Sequence, residues 1–445
     1  LVTCIDVRSD VLRVAAEQLS GVQTKGMAGF FGVDVCLNSS VDQSSLNFAP
    51  IILEPTIEVR DQRRLRFLWS IPTLWKKASS GSGALAIAEG LGLLNGLLSL
   101  INTFAPGIAR RLNRPFEPAR WLDSTGMELA GLSSEAQREY ARGILAVLDP
   151  KHSDLSSEVL FVGHGAEGSN TPFRSMYECG ACGGNNGGLN ARFAATLMNS
   201  PEVQRFLGEI YPGRQITFYA AEHNTTAGSL EIDPLARPQL QRKGSVLLHQ
   251  LLRELSHLPK RPYPLAAHVE KFDSSAALAW WQPFPEWGLA GNAAVVIGPR
   301  SLTEKSELSS RVFLHDYRWE GDAEAELLSS ILSGPGAVMQ MINSAYNMAV
   351  TSPTIFSSGD KTRHNVLGEA GVLEGAEGPL LRGMPWQALS TTPALGSHNS
   401  QGHIPVRLQF LIDAPKEHIQ KAIDASTIAP LVSGGWIKVH SLAKR

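Results

Sequence analysis

Short apolar runs, each followed by a helical pattern, recur along the chain and limit its possible folds more than any other feature. Leu1–Asp6 precedes the helical pattern Val11–Leu19, and near the other end Val406–Ile412, Pro415–Ile428 and Trp436–His440 read as strand, helix and strand. Strands that alternate with helices build parallel sheets covered by helices. We therefore predict an α/β protein with a mainly parallel sheet, flanking helices and an additional α/β region towards the C-terminus.

The length of 445 residues exceeds what one ordinary core holds, so two or three domains are expected. We predict a core over residues 1–230 with a helical insertion at about 60–150, a helical and α/β extension over 231–390 packed on the core, and a βαβ unit over 391–445. Within the insertion, Gly83–Phe104 is apolar over about one membrane thickness. An unpaired Glu89 is costly in lipid, which favours a buried or docking helix over a spanning one.

Charge and cysteine content exclude two classes of protein. The net charge of −2 offers no basic excess to neutralise phosphates, so general nucleic-acid binding is not expected. Four cysteines are too few for a disulfide scaffold in a chain of this length, which favours a reduced compartment.

The first motif that carries chemistry is Cys4-Ile5-Asp6-Val7-Arg8 at the end of a strand. Side chains alternate along a strand, so Cys4, Asp6 and Arg8 point to the same side. Open α/β sheets bind ligands outside the carboxyl ends of their strands, so a thiol and a carboxylate meet there beside a guanidinium. Taken alone, the Asp6–Arg8 pair is equally compatible with an ordinary ion pair.

The second motif is Gly163-His164-Gly165 after an apolar strand, followed by Cys179-Gly-Ala-Cys182 in a glycine-rich stretch. A Cys-x-x-Cys pair can act in redox chemistry or hold half of a structural zinc site. Together with Cys4 and Asp6, these residues supply the sulfur, nitrogen and oxygen donors that zinc takes in a tetrahedron. Cys182 could replace Cys179 or Asp6. His223 could line the pocket or carry protons, because histidine titrates near neutral pH.

The sequence resembles two related groups of proteins. Cys-x-Asp-x-Arg on a strand end, followed by a His and a Cys, resembles the zinc motif of β-carbonic anhydrases, although fourteen residues separate His164 from Cys179 here and that family keeps them two apart. The closer resemblance, from end to end of the chain, is to the DabA family, the carbonic-anhydrase-like subunits of the DAB inorganic-carbon accumulation complex. Its blocks are Cys-Ile-Asp-Val-Arg-Ser (4–9), Ala-Gly-Phe-Phe-Gly-Val (28–33), Cys-Gly-Ala-Cys-Gly-Gly (179–184), His-Asn-Thr-Thr (223–226), Glu-Trp-Gly-Leu-Ala-Gly-Asn-Ala-Ala (286–294), Gly-Asp-Lys (359–361) and Met-Pro-Trp-Gln (384–387).

This resemblance implies a β-carbonic-anhydrase-like core and a Zn²⁺ ion held by Cys4, Asp6, His164 and Cys179, with Arg8 as the partner of the Asp6 carboxylate. It implies CO2 and bicarbonate as substrates and the membrane-embedded, ion-translocating subunit DabB as partner. The chain would then be a peripheral protein on the cytoplasmic face of the membrane. Family members extend upstream of the Cys-x-Asp-x-Arg strand, so we expect that their N-terminal portion is missing here.

Four protein ligands would close a zinc site, whereas catalysis needs an open position for water. The hypothesis is that Asp6 leaves the metal and pairs with Arg8, so that water enters and CO2 is hydrated. Little activity is then expected from the isolated chain. The alternative is a subunit in which zinc only stabilises the fold and no catalysis occurs.

Overall fold

The structure is a computed structural model of the chain. It describes residues 1–38, 45–60, 83–113, 132–153, 155–171, 173–234, 236, 246–255, 276–282, 288–359, 361–362, 364–366, 372–374, 380–381, 383–389 and 402–443. The predicted insertion therefore lies partly outside the described residues, at 61–82 and 114–131, as does the start of the predicted C-terminal unit at 391–401.

The described strands are short, apart from two of eight residues each that cross the centre of the first sheet. They are β1 (Val2–Cys4), β2 (Lys25–Met27), β3 (Val35–Asn38), β4 (Ser45–Asn47), β5 (Ile57–Arg60), β6 (Glu158–Gly165), β7 (Thr217–Asn224), β8 (Ser229–Ile232), β9 (Ala294–Ile297), β10 (Val312–His315), β11 (His364–Val366), β12 (Val372–Glu374), β13 (Leu380–Leu381), β14 (Gln409–Ile412) and β15 (Lys438–Ser441).

The described helices connect these strands and cover their faces. They are α1 (Ser9–Glu17), α2 (Gly83–Phe104), α3 (Pro106–Asn113), α4 (Ser134–Leu148), α5 (Gly188–Met198), α6 (Pro201–Ile210), α7 (Val246–Leu255), α8 (Glu326–Ile331), α9 (Ala337–Thr351), α10 (Pro353–Phe356), α11 (Trp386–Leu389), α12 (Lys416–Asp424) and α13 (Ala429–Ser433).

The first sheet has the strand order β2-β1-β6-β7-β8, in which β8 alone is antiparallel to its neighbour. The central strand β6 contains the run Val159-Leu160-Phe161-Val162, which is buried throughout, as expected for a strand covered on both faces. From one edge of this sheet to the other, the strands are the second, first, third, fourth and fifth in chain order. Its direction of winding therefore reverses between β1 and β6, and the crevice at the carboxyl ends of two such strands is where open α/β sheets bind their ligands.

The second sheet has the order β10-β9-β14-β15 and is parallel throughout. The C-terminal strand–helix–strand unit formed by β14, α12 and β15 thus shares one sheet with β9 and β10. The two sheets meet near β2 and β10, where the amide of Leu314 donates to the carbonyl of Ile5 at 3.2 Å and the amide of Asp316 donates to the carbonyl of Gly26 at 2.8 Å. The predicted α/β class with mostly parallel sheets is confirmed, while the predicted domain limits stay a prediction.

Two smaller sheets, β4-β3-β5 and β11-β12-β13, complete the described sheets. Helices α2 and α3 contact each other and are separated by one residue. Several leucines of α2 are exposed to solvent, which excludes the fully buried alternative for Gly83–Phe104. Within the described ranges, none of the helices combines the length and the apolar character that crossing a bilayer requires.

Candidate metal centre

The connection between β1 and α1 places Cys4, Asp6 and Arg8 at the carboxyl edge of the first sheet. Strand β1 ends at Cys4, and the parallel ladder continues for one more bond from the amide of Ile5 to the carbonyl of Met27 at 3.1 Å. Helix α1 then begins at Ser9, whose amide donates to the carbonyl of Asp6 at 2.9 Å. All three side chains are buried in the crevice between β1 and β6.

Asp6 and Arg8 form a two-point ion pair. The Nε of Arg8 donates to Oδ1 of Asp6 at 2.7 Å, Nη2 donates to Oδ2 at 2.8 Å, and the amide of Arg8 donates to Oδ1 at 2.9 Å. Burial alone would raise the pKa of the Asp6 carboxyl, but the charge and hydrogen bonds of Arg8, together with His164, hold it below its usual range. Asp6 is therefore a carboxylate at neutral pH.

The remaining donors of Arg8 connect three other parts of the crevice. Nη1 donates to the carbonyl of Tyr177 at 2.9 Å and to Oγ1 of Thr225 at 3.1 Å. Nη2 also lies 3.1 Å from Nε2 of His164. The planar guanidinium thus fixes the ends of β1, β6 and β7 and the chain that leads to Cys179 relative to each other.

His164 lies one residue before the end of β6, and its cross-strand neighbour on β7 is His223. Its position depends on Gly163, because a Cβ there would lie 2.0 Å from the carbonyl oxygen of Gly187. This close approach lets the amide of Gly187 donate to the carbonyl of His164 at 2.8 Å. The glycine-rich loop that follows Cys179 is thereby held against β6.

Cys179 reaches the crevice at the start of this loop. Its amide donates to the carbonyl of Asn185 at 3.1 Å, and its carbonyl accepts from the amide of Gly184 at 3.0 Å. The Sγ atom of Cys179 lies 4.0 Å from Sγ of Cys4, although 175 positions separate the two residues in sequence. The fourteen residues between His164 and Cys179, which distinguish this sequence from the spacing in β-carbonic anhydrases, thus lead the chain back to the same place.

The three donors Cys4, His164 and Cys179 fit a single metal ion. Their ligand atoms lie within 4.8 Å of one another, and no other group of three His, Cys, Asp or Glu side chains in the described part of the chain does the same. Two sulfurs on one zinc at about 2.3 Å stand roughly 3.8 Å apart, close to the separation here. Asp6 lies beside this group, with Oδ2 3.4 Å from Nε2 of His164, but both of its oxygens face Arg8.

The protonation chemistry of the donors also favours a cation. Burial raises the pKa of the Cys4 and Cys179 thiols well above their ordinary value, because a thiolate loses its contact with water there; Cys179 adds to the effect at Cys4, and Cys182 adds to it at Cys179. A divalent ion supplies the positive charge that two buried thiolates need. Nδ1 of His164 is buried without a hydrogen-bond partner, so this ring nitrogen is available as a metal ligand, while Nε2 lies near Arg8.

Gly29 leaves the space that both sulfurs occupy. A Cβ at position 29 would lie 2.5 Å from Sγ of Cys179 and 2.7 Å from Sγ of Cys4. We expect Gly29→Ala to displace the sulfurs, to destabilise the protein by about 1–3 kcal/mol and to weaken metal binding by about 10–100-fold. Thermal unfolding and a competitive chelator titration measure the two effects.

The control for this variant is Gly208→Ala on α6, where an added Cβ has no atom within 4 Å. It should leave metal affinity unchanged and be neutral or stabilise by up to about 1 kcal/mol. Wild-type metal affinity in Gly29→Ala would show that the two sulfurs do not share an ion.

The other two candidates, Cys182 and His223, are not part of the group of three donors. Cys182 is buried on the turn of 3-10 helix after Cys179 but lies outside the group of three donors. His223 is buried beside His164, and burial together with the nearby His164 and Arg8 lowers its pKa to about 3. It is therefore neutral at physiological pH, and a proton-carrying role would need a different pKa.

Sequence reasoning missed Gly29 and Thr225, although both lie in blocks that carry the family resemblance.

Comparison with known proteins identifies the family of the chain. The family model described as "Probable inorganic carbon transporter subunit DabA" matches residues 1–437. Proteins with that same description from Bacillus cereus (strain B4264), Geobacillus thermodenitrificans (strain NG80-2) and Bacillus subtilis (strain 168) are 32%, 33% and 32% identical to the chain. No solved structure matches it.

Each of these three alignments covers 99% of the chain but 54% of the relative. The chain thus spans about half the length of the curated relatives it matches. Cys4, His164 and Cys179 all fall inside the matched range. Because the family model covers almost the whole sequence, the chain belongs to the DabA family of inorganic carbon transporter subunits.

Proposed function

We propose that the chain is a zinc-dependent, carbonic-anhydrase-like subunit that hydrates CO2 to bicarbonate as part of an inorganic carbon uptake complex. The observation that carries this proposal is the convergence of Cys4, His164 and Cys179 beside the Asp6–Arg8 ion pair. The family, whose members are described as inorganic carbon transporter subunits, supplies the substrate class. We further propose that the first sheet is a β-carbonic-anhydrase-like core, since the donors flank its reversal point between β1 and β6.

The chain would hold Zn²⁺ through Cys4, His164 and Cys179, with Asp6 as the fourth ligand in a resting state. When bound, zinc supplies a Lewis acid that brings the pKa of water to near 7. With Asp6 held by Arg8, as in this structure, Cys4, His164 and Cys179 would be the protein donors that hold the metal. The position of the Asp6 carboxylate would therefore decide between a closed and an open site.

Asp6 and Arg8 have defined roles in this proposal. Arg8 orients the carboxylate with two hydrogen bonds and keeps it ionised, so Asp6 can accept a hydrogen bond from a molecule beside His164. Ile5, Val7 and Leu289 belong to the apolar cluster that also contains Cys4 and Cys179. A nearly apolar molecule such as CO2 suits a site with such walls, in which a few polar side chains, among them Asp6 and Arg8, fix its orientation.

We propose DabB, a membrane-embedded and ion-translocating subunit, as the partner, and the cytoplasmic face of the membrane as the location. Energy coupling then requires that the partner biases the Asp6 carboxylate between Arg8 and the metal. The contacts of Arg8 with Tyr177 and Thr225 support this idea, because a shift of either segment would change how firmly Arg8 holds Asp6.

Asp6→Asn tests the catalytic proposal. The amide keeps the shape of the side chain but loses the charge, so it can neither be held at two points by Arg8 nor accept a proton. We expect about one zinc per chain to remain and CO2–bicarbonate exchange by membranes that contain the complex to fall by about 100-fold or more. Element analysis and isotope exchange measure the two quantities.

Asp233→Asn is the matched control, since Arg192 holds Asp233 at two points with distances of 2.8 Å and 2.7 Å. Both variants lose one partner of a buried ion pair, so a comparable loss of stability is expected in each. Only Asp6→Asn should lose exchange activity. Full exchange activity with intact zinc in Asp6→Asn would contradict the catalytic role of Asp6. Absence of exchange activity in zinc-loaded wild type would leave the second candidate, a zinc-stabilised subunit without catalysis, which the burial of all three donors also fits.

A further inference from the structure

The second sheet repeats the strand order of the sheet that carries the metal centre. From edge to edge, β10-β9-β14-β15 are the second, first, third and fourth of its own strands, as β2-β1-β6-β7 are in the first sheet. Arg8 lies six residues after Val2, the first residue of β1, and is followed by a serine. Arg300 likewise lies six residues after Ala294, the first residue of β9, and is followed by a serine. The carboxyl edge of the second sheet is therefore a second place where an open α/β fold binds ligands.

A cavity of about 440 Å³ lies at this edge. One wall comes from the chain that follows β9 and β10, at residues 299–301 and at Arg318. The opposite wall comes from the end of α1, the start of β2 and the end of α4, at Glu17 and residues 22–25 and 148–151. Small-molecule sites have volumes of about 300–1,000 Å³, so the cavity has room for a small organic molecule.

Two carboxylates of the cavity wall are held by arginines. Nε and Nη2 of Arg300 donate to the two carboxylate oxygens of Glu17 at 2.8 Å and 2.9 Å. Oδ2 of Asp316 accepts from Nη2 of Arg13 at 3.2 Å. Arg13 is fully buried behind this wall, and its Nη1 atom has no hydrogen-bond partner. The negative charges of Glu17 and Asp316 are thus neutralised from within the protein.

The cavity has two further carboxylates among the described residues that line it. Asp149 accepts a hydrogen bond from the hydroxyl of Tyr211 at 2.9 Å. Glu304 is exposed and, among the lining carboxylates that the structure describes, is the one without an ion pair or a side-chain hydrogen bond. Negative charge at the wall is therefore largely engaged by neighbouring groups.

Three lining cations, in contrast, have no such partners. Lys25 on β2, Lys151 after α4 and Arg318 after β10 form neither an ion pair nor a side-chain hydrogen bond with the described residues. A ligand that reaches cations on three separate segments needs several charged oxygens. A phosphate group offers three oxygens and nearly two negative charges at neutral pH, whereas a carboxylate offers two oxygens and one charge. The unpaired cations therefore favour a phosphate group.

We infer that this cavity binds a small phosphorylated compound, with the phosphate group at the three unpaired cations and the organic part against Val22, Leu148 and Pro299. The site is separate from the metal centre, which lies at the carboxyl edge of the first sheet. The inference rests on the cavity and its charges and not on the hydration of CO2, so the two proposals can fail separately.

The test is isothermal titration calorimetry of the purified chain with glycerol 3-phosphate, inorganic phosphate and uncharged glycerol. We expect the two phosphate compounds to bind and glycerol not to bind. The double variant Lys25→Gln/Arg318→Gln should bind glycerol 3-phosphate at least about tenfold more weakly, since it removes charge-assisted hydrogen bonds to the phosphate. Both side chains lack partners within the described structure, so the variant should unfold at the wild-type temperature.

The charge control is Arg407→Gln/Lys438→Gln, which removes the same two charges at exposed residues outside the cavity and should bind like the wild type. Cys179→Ala alters the metal centre and should also bind glycerol 3-phosphate with wild-type affinity. Three results would each overturn the inference: no binding by the wild type, equal affinity for glycerate, which carries a carboxylate instead, or binding that is lost in Cys179→Ala and kept in Lys25→Gln/Arg318→Gln.

Discussion

Cys179→Ala is expected to yield folded protein with less than about a tenth of the zinc of the wild type, which should carry about one ion per chain. The sulfur of Cys179 is one of two that face the same point, 4.0 Å apart. With it removed, Cys4 is the only sulfur left in the clustered set, and a site that has lost one of its two thiolates binds zinc too weakly to hold it against a chelator. Element analysis after dialysis against a weak chelator measures the loss.

Cys182→Ala provides a closely matched control. Cys182 is also fully buried, lies three residues further along the same loop, and loses the same sulfur atom on substitution. The two variants therefore create similar cavities, and their difference reports the ion alone. Retention of zinc in Cys179→Ala, or its loss in Cys182→Ala, would contradict the assignment of Cys179 as a ligand.

Arg8→Met is expected to reduce the free energy of unfolding by about 3–5 kcal/mol, because it leaves the Asp6 carboxylate buried without its counter-charge. Methionine fills a similar volume, so lost packing contributes little. The variant also removes the bonds to Tyr177 and Thr225 that join separate segments of the crevice. Urea unfolding of the wild type and the variant at neutral pH measures the difference.

The lowered pKa of Asp6 determines how the difference in unfolding free energy between the wild type and Arg8→Met depends on pH. Because the folded protein holds that pKa below the unfolded value of about 4, pairing with Arg8 stabilises the fold above this pH and is lost as the pH falls further. The difference in unfolding free energy between the wild type and Arg8→Met should therefore become smaller below about pH 4.

Arg192→Met serves as the comparison for Arg8→Met, since Arg192 and Asp233 form a buried pair of the same geometry. It should destabilise the protein by a similar amount but leave zinc affinity unchanged. A loss below about 1 kcal/mol in Arg8→Met would show that the Asp6 carboxylate does not depend on Arg8.

The sequence predicted those features that depend on strand ends. Cys4 and His164 each follow an apolar run, and side chains at the carboxyl ends of parallel strands meet at one edge, so their proximity could be expected. The family assignment, which combined several short blocks, is confirmed. Asp6 beside Arg8 follows from two-residue spacing, whereas its role as a ligand stays a prediction.

Other features depend on contacts between distant segments, which local patterns do not encode. That β9 pairs with β14, more than a hundred residues later, is set by packing across the molecule and not by either strand alone. The need for glycine at position 29 arises only when Cys4 and Cys179 approach from opposite sides. The sequence also did not decide whether α2 is buried or exposed, since an apolar helix can be buried or available to a partner.

The edge-to-edge junction of the two sheets has a consequence for how the centre behaves on dilution. One apolar cluster contains Cys4 and Cys179 from the first half of the chain together with Val295, Tyr346 and Phe410 from the second. The three donor residues thus come from one polypeptide, which also buries them. Occupancy should accordingly follow the free zinc concentration alone, with the same half-saturation point in nanomolar and micromolar protein.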